Sequence, residues 1–453
     1  MIYSIIDKFK KSIYLLIPMC CILLWAFITL AKDNFSLTSD GGAADFDVFY
    51  YVSKNIFIHP EDIYVKLYGE DPYTYTPFFA IIYWPMGLFT FEQAHWIYFI
   101  SLVILAELII IVFNQILIFK KITNKVHRFL FLLAIGNGLV YMNNFDSLTG
   151  CILPSFILIL FIKREIKYRV LNRETKETKF ILVQMMLLVL VIGIFIQFFF
   201  FVIIYLFHDI NKMKDIFNEY QLKRYLFLVI SFIIQNFMIF IIYFMNSNAF
   251  DSLLGGYWRG ERSLPPKSYF EYSNILRFRY DFACDGITSI YYTSSLYVDY
   301  SGLNINLFLI SLTIMIIITI MISSMKSITI EKKFGWWTLS ALFFYTLVFV
   351  RYFVGLLPLI TILLADYYIG ESKNTIDFIK KNFILLVGLF CIACLYFMPP
   401  IHLLIRVFPF LWNIPIALLL LRWLIIYIIL LVDLVILSKK YKFIFLKHKE
   451  LNS

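Results

Sequence analysis
Two carboxylates two residues apart, Asp45 and Asp47, stand inside the aromatic run Asp45-Phe46-Asp47-Val48-Phe49-Tyr50-Tyr51. A carboxylate set among bulky rings loses hydration, which raises its pKa toward that of a useful general base. In a helix the two point to different sides, so at most one addresses a site. Gly41-Gly42-Ala43-Ala44 before them permits a turn and close backbone approach. A second stretch, Tyr73-Thr74-Tyr75-Thr76-Pro77-Phe78-Phe79-Ala80, follows within one polar segment. Tyr50 and Tyr75 are the candidate sugar-binding rings, because an amphipathic ring can stack on a sugar and hydrogen-bond its hydroxyls. The blander reading of such tyrosines is a belt at a membrane interface.

Elsewhere the chain is almost wholly apolar. Of its 453 residues 61% are hydrophobic and 15% charged. Mean hydropathy is +0.81. A soluble domain cannot hide that surface, whereas lipid solvates it. The fold class expected is an all-α polytopic membrane protein, with spans near 13–31, 94–119, 129–141, 150–162, 180–192, 194–207, 225–245, 304–325, 336–350, 352–369, 382–398 and 415–437. The pairs around 129–162, 180–207 and 336–369 read as hairpins or as single kinked spans, so the count of 12 carries a margin of about two. The run 78–89, interrupted by Pro85, is too short to cross and reads as an interfacial helix begun by Pro77. The first span lacks a small-residue cleavage site and reads as an uncleaved anchor.

With the N-terminus inside, 29 of the 40 Lys and Arg fall in inside segments, as the positive-inside rule expects. The net charge of +10 is then a signal of topology and of affinity for anionic lipid. Scattered over short loops, it is no nucleic-acid footprint. Two long outside segments remain, an acidic one at 32–93 and an arginine-rich one at 246–303 that holds Arg259, Arg262, Arg277 and Arg279. The whole, 1–453, reads as one membrane domain, and the opposed charges of the two segments imply a polar cavity on that face. Arg351, between two apolar runs, suits a phosphate through its planar fork, or an ion pair with a carboxylate such as Asp45. Glu107, midway along the second span, reads as a protonated carboxyl hydrogen-bonded to a neighbouring helix, with a proton relay as the alternative. Cys391 and Cys394 have redox spacing but lie in an apolar run, and pack there. The six histidines are scattered, and no P-loop, dinucleotide turn or zinc motif is found.

These residues resemble the polyprenol-phosphate-sugar-dependent glycosyltransferases of the GT-C superfamily, and within it glycosyltransferase family 87, an α-mannosyltransferase-like family. Asp45-Phe46-Asp47-Val48-Phe49-Tyr50 is similar to that family's Asp-Phe-x-Val-Tyr-Tyr segment. Tyr64 and then Tyr73-Thr74-Tyr75-Thr76-Pro77-Phe78, with Pro85-Met86 behind, are similar to its next two elements. Asn143-Asn144 sits where the family has a Gly-Gln-x-Asn-like turn. Gln197 stands near the family's Lys-Pro element without the lysine, and Arg351 takes a family histidine's place before Pro358.

The resemblance implies a GT-C-like bundle and transfer of a sugar, mannose, from a polyprenyl-phosphate donor to a glycan or glycolipid hydroxyl, with inversion, on the extracytoplasmic side of a prokaryotic plasma membrane. By position it makes Asp45 the catalytic base, with Asp47 the fallback. Arg351, Arg259, Arg262 and Arg279 are the donor-phosphate candidates. No cofactor is expected, and a divalent metal is left open. A lipid-linked-sugar flippase or other transporter is the alternative, which inverted repeats would favour; none is seen.

Overall fold
The structure, a computed structural model, describes residues 2–32, 44–60, 67–68, 71–72, 77–136, 141, 145, 148, 150–171, 178–194, 199–208, 210, 213–245, 304–325, 328–344, 353–370, 374–383 and 385–389. Apart from turns and short connections they are helical, with one two-residue antiparallel pairing of Leu67–Tyr68 with Asp71–Pro72. The longest apolar helix after the first is α4, Phe91–Phe119; before it come α1 (Ile2–Lys32), α2 (Ala44–Asn55) and α3 (Pro77–Tyr83).

A reciprocal capping box starts α4. The Thr90 hydroxyl accepts from the Gln93 amide at 3.4 Å, and the Gln93 side chain accepts from the Thr90 amide at 3.2 Å. Its other end is closed by Lys121 in the left-handed region (φ 64), with the Ile122 amide reaching back to the Leu117 carbonyl at 3.0 Å. Twenty-nine residues at about 1.5 Å each make a rod of roughly 43 Å, enough to cross a bilayer. Among the described residues two helical stretches, Ile13–Ala31 and Phe91–Phe119, are long and apolar enough to span a membrane.

α1 packs on α4 and on α5 (Lys125–Gly136). The approach is close because Gly136 has no Cβ; one placed there would lie 2.9 Å from the Pro18 ring. α6 (Ile152–Val170) lies along α4, and α7 (Thr178–Ile194) along α6. α8 (Phe199–Phe207) and α9 (Glu219–Met245) follow, then α10 (Asn304–Ser324), α11 (Ile330–Phe344) and α12 (Phe353–Ala365). α13 (Thr375–Lys381) follows, and helical residues 385–389 end the described part. α11 meets α12 where Gly335 faces Leu363 and the Leu359 carbonyl, and α12 returns to α6.

The expected pair 180–192 and 194–207 is resolved as two helices, α7 and α8, and the helix begun by Pro77 is α3, continued by a 3-10 turn at Trp84–Leu88 that accommodates Pro85. Of the expected span at 382–398, residues 382–383 and 385–389 are described; the span at 415–437 and the arginine-rich segment 246–303 lie outside the described residues.

The chemistry-bearing segments separate to opposite ends of α4. α2, α3 and the 3-10 turn gather at its Phe91 end. Lys120, Arg169, Glu331, Lys332 and Asp366 gather at its Phe119 end. Between the ends the outer surface is apolar. α9 presents Leu226, Val229, Ile233, Ile234 and Phe237 outward, and α1 presents Leu23, Leu24 and Phe27.

Candidate functional site
α2 is amphipathic in an unusual sense, since its hidden side is aromatic. Phe46, Phe49, Val52, Ser53 and Ile56 are buried, at i, i+3, i+6, i+7 and i+10. Asp47, Tyr51 and Lys54 stand at i, i+4 and i+7 on the other side; Tyr51 is 43% exposed and Asp47 half-buried. A carboxylate, an open aromatic ring and an ammonium therefore share one face.

The buried side locks that face in place. The Phe46 ring stacks on His95 (4.7 Å between centroids) and on Tyr98 (5.3 Å) of α4. Phe49 meets Phe79 edge-on at 5.0 Å, on α3. The Tyr50 hydroxyl donates to the Phe89 carbonyl at 2.9 Å, which ties α2 to the residues leading into α4. Its ring is 5% exposed, so Tyr50 braces the site from behind; the open ring on the helix is its neighbour Tyr51.

Gly87 sets the distance between α2 and the 3-10 turn, for a Cβ there would stand 2.9 Å from the Lys54 Cα. Backbone cannot rotate away as a side chain can. Gly87→Ala is thus expected to destabilise by roughly 1–3 kcal/mol and to shift α2. A lowered thermal midpoint of the purified variant is the readout, and an unchanged midpoint would mean that α2 moves at no cost.

Burial raises the Asp47 carboxyl above the ordinary aspartate range. Among the described residues no positive neighbour opposes that shift, so the carboxyl is a better proton acceptor than a solvated aspartate. Asp45 belongs to the same helix, 200° away around the axis, in register with Phe49 and Val52. Its side chain lies outside the described residues, as do Tyr75, Arg259, Arg262, Arg277, Arg279 and Arg351 in full. Of the sequence candidates, then, the described structure brings together Asp45, Asp47 and Tyr50 on one helix. Among the described residues no three His, Cys, Asp or Glu side chains gather as metal ligands.

Glu107 is placed midway along α4, where both carboxyl oxygens are buried and neither has a hydrogen-bond partner among the described residues. The expected bond to a neighbouring helix is not found there.

Sequence reasoning missed two features. One is His95, 1% exposed and directly beneath Phe46. Its signal was a histidine one turn after Phe91, at the polar start of an apolar run. The other is the charge cluster at the far end of α4. Arg169 Nη2 donates to both Glu331 oxygens at 2.8 Å, Lys120 bonds Asp366 and lies 3.7 Å from Glu331, and Lys332 lies 3.6 Å from Asp366. These residues line a cavity of about 340 Å³. Both carboxylates there are taken up by cations, so the cluster joins four helix ends and offers no unpaired base.

No protein-family model matches this chain, and no curated protein matches its sequence.

Proposed function
We propose that this chain is a multi-pass membrane glycosyltransferase of the GT-C kind, resembling family 87, that moves mannose from a polyprenyl phosphate to an acceptor hydroxyl on the extracytoplasmic side. The observation that carries the reading is the open face of α2, with the half-buried carboxyl of Asp47 one turn from the Tyr51 ring at one end of a membrane-length helix. A bundle of about 12 spans is part of the proposal. It is supported by the outward-facing apolar side chains of α9, which water would penalise and lipid accepts. Lys120, Arg128, Arg169 and Lys332 stand at the end of the bundle away from α2, which the positive-inside rule makes cytoplasmic.

In the reaction an Asp47 oxygen takes the acceptor's hydroxyl proton. The acceptor oxygen attacks the anomeric carbon from the face opposite the phosphate. The bond from that carbon to the phosphate oxygen breaks, its electron pair leaves with the polyprenyl phosphate, and the configuration inverts. The proton rests on the carboxyl until solvent takes it. A phosphate ester leaves readily, so no strong acid is required. Cations lower the barrier by meeting the charge that grows on it. Arg351, Arg259, Arg262 and Arg279 are assigned to that task on their residue type and their proposed side of the membrane. Asp47 is favoured as the base because its half-buried carboxyl shares a helix face with the exposed Tyr51 ring.

Arg351→Ala is expected to raise the donor KM by roughly 10- to 100-fold and leave the acceptor KM within about twofold. Equal loss on both substrates would remove the phosphate role. The reading as a whole is tested by purified protein, a panel of polyprenyl-phosphate sugars and a lipid-linked acceptor, scored by product mass. A flippase would move the labelled lipid-linked sugar across a liposome and form no new glycosidic bond.

A further inference from the structure
His95 is enclosed by aromatic carbon. Phe46 lies flat against it, with planes 16° apart, Phe91 stands edge-on at 5.8 Å, and Tyr98 completes the stack on Phe46. Neither ring nitrogen has a hydrogen-bond partner among the described residues, although the residue is 1% exposed. A neutral imidazole offers one donor and one acceptor. Leaving both unmade in a buried place costs stability, which a phenyl ring of similar shape would not. Such a cost is common where a group is kept for a ligand.

The surroundings indicate which ligand. A continuous series of rings leads inward from the surface. The open Tyr51 ring stacks on Phe91 at 6.2 Å, and Phe91, half-buried, is the cover over His95. Asp47 is one turn from Tyr51 and adjacent in sequence to Phe46. A pyranose has apolar C–H faces that pack on rings and hydroxyls that both give and accept hydrogen bonds, which matches an aromatic wall ending in an imidazole.

We propose that His95 is a sugar-binding residue, exchanging hydrogen bonds through its ring nitrogens with a hydroxyl of the donor sugar once the Phe91 ring swings aside. The identity of the ligand rests on the glycosyl-transfer reading; the presence of an unused buried imidazole does not.

The test compares the full-length wild type with His95→Phe and His95→Gln in detergent. Thermal midpoints are taken alone, with short-chain polyprenyl phosphate, and with the same lipid phosphate carrying mannose, glucose or galactose. A ligand that binds the native state raises the midpoint. In the wild type one glycosylated lipid is expected to raise it beyond the bare phosphate. His95→Phe should match or exceed the wild type without ligand, keep the shift from bare phosphate and lose the added shift from the sugar. Its donor KM should rise roughly 5- to 100-fold. His95→Gln, which keeps a donor and an acceptor, should recover part of the added shift. The proposal is overturned if no sugar adds a shift in the wild type, or if His95→Phe keeps it. It is equally overturned if both variants unfold well below the wild type, for the imidazole would then be structural. A sugar shift that needs His95 without any transfer product would instead remove the transferase reading and leave the sugar site standing.

Discussion

Asp47→Asn is expected to give a protein that folds and inserts normally yet transfers sugar about 10²–10⁴-fold more slowly, the usual worth of a positioned general base. The change is nearly isosteric. It removes a carboxyl whose ionised form is disfavoured by burial. Because the folded-state pKa lies above the unfolded one, ionised Asp47 costs stability, and that cost is fully present once the pH exceeds the folded value. The amide should therefore be neutral or slightly stabilising at pH 7. Activity should behave in the opposite sense. The base works only when ionised, so transfer should rise with pH along an acid limb whose midpoint lies above the ordinary aspartate value, and Asp47→Asn should lack that limb. Asp45→Asn is the matched control, expected to retain most of the rate. A dead Asp45→Asn beside an active Asp47→Asn would move the base two residues, to the position the family resemblance favours.

Glu331→Gln is expected to lower stability by about 2–3 kcal/mol, read as a drop in the thermal midpoint. Breaking a fully buried pair costs roughly 3–5 kcal/mol. Here the Glu331 side chain is 4% exposed and Lys120 12%, but Arg169 is 40% exposed and can turn to solvent, which places the cost below that range. Lys120 also keeps Asp366. The double change Arg169→Leu with Glu331→Leu removes both charges together and should recover much of the loss, because desolvation of an ion pair offsets most of its attraction. A double variant no better than Glu331→Gln would mean that the pair itself, and not the stranded charge, sets the cost. Neither variant should change the donor KM, since the cluster lies at the far end of α4 from α2.

Apolar runs were the most legible feature of the sequence. The run at 94–119 became α4, extended by three residues because Thr90 and Gln93 form a capping box that hydropathy does not register. Pro77 marked the start of α3, as its missing amide and fixed φ favour a first helical turn. Asp45 and Asp47 read as part of a polar loop, and the structure makes that stretch a helix, Ala44–Asn55, because its aromatic residues have helices to pack against. Which side is open was not legible. That depended on Phe46 and Phe49 finding His95, Tyr98 and Phe79, contacts between segments more than 25 residues apart. The role of Tyr50 turned on the same tertiary fact. A tyrosine beside an acid resembles a ligand-binding ring, and only the Phe89 carbonyl shows its hydroxyl to be engaged within the protein. Lys120, Arg169, Glu331 and Asp366 were visible as scattered charges, but their pairing needs four helices to end at one level.

On the proposed reading, a carboxylate on α2 makes a glycosidic bond at the membrane surface. The most direct test is the mass of a lipid-linked acceptor after incubation with purified protein and a polyprenyl-phosphate sugar. The result expected is an acceptor heavier by one sugar residue, formed by the wild type and not by the protein with both Asp45 and Asp47 changed to Asn. An acceptor of unchanged mass across the donor panel, while labelled lipid-linked sugar crosses the bilayer, would contradict it.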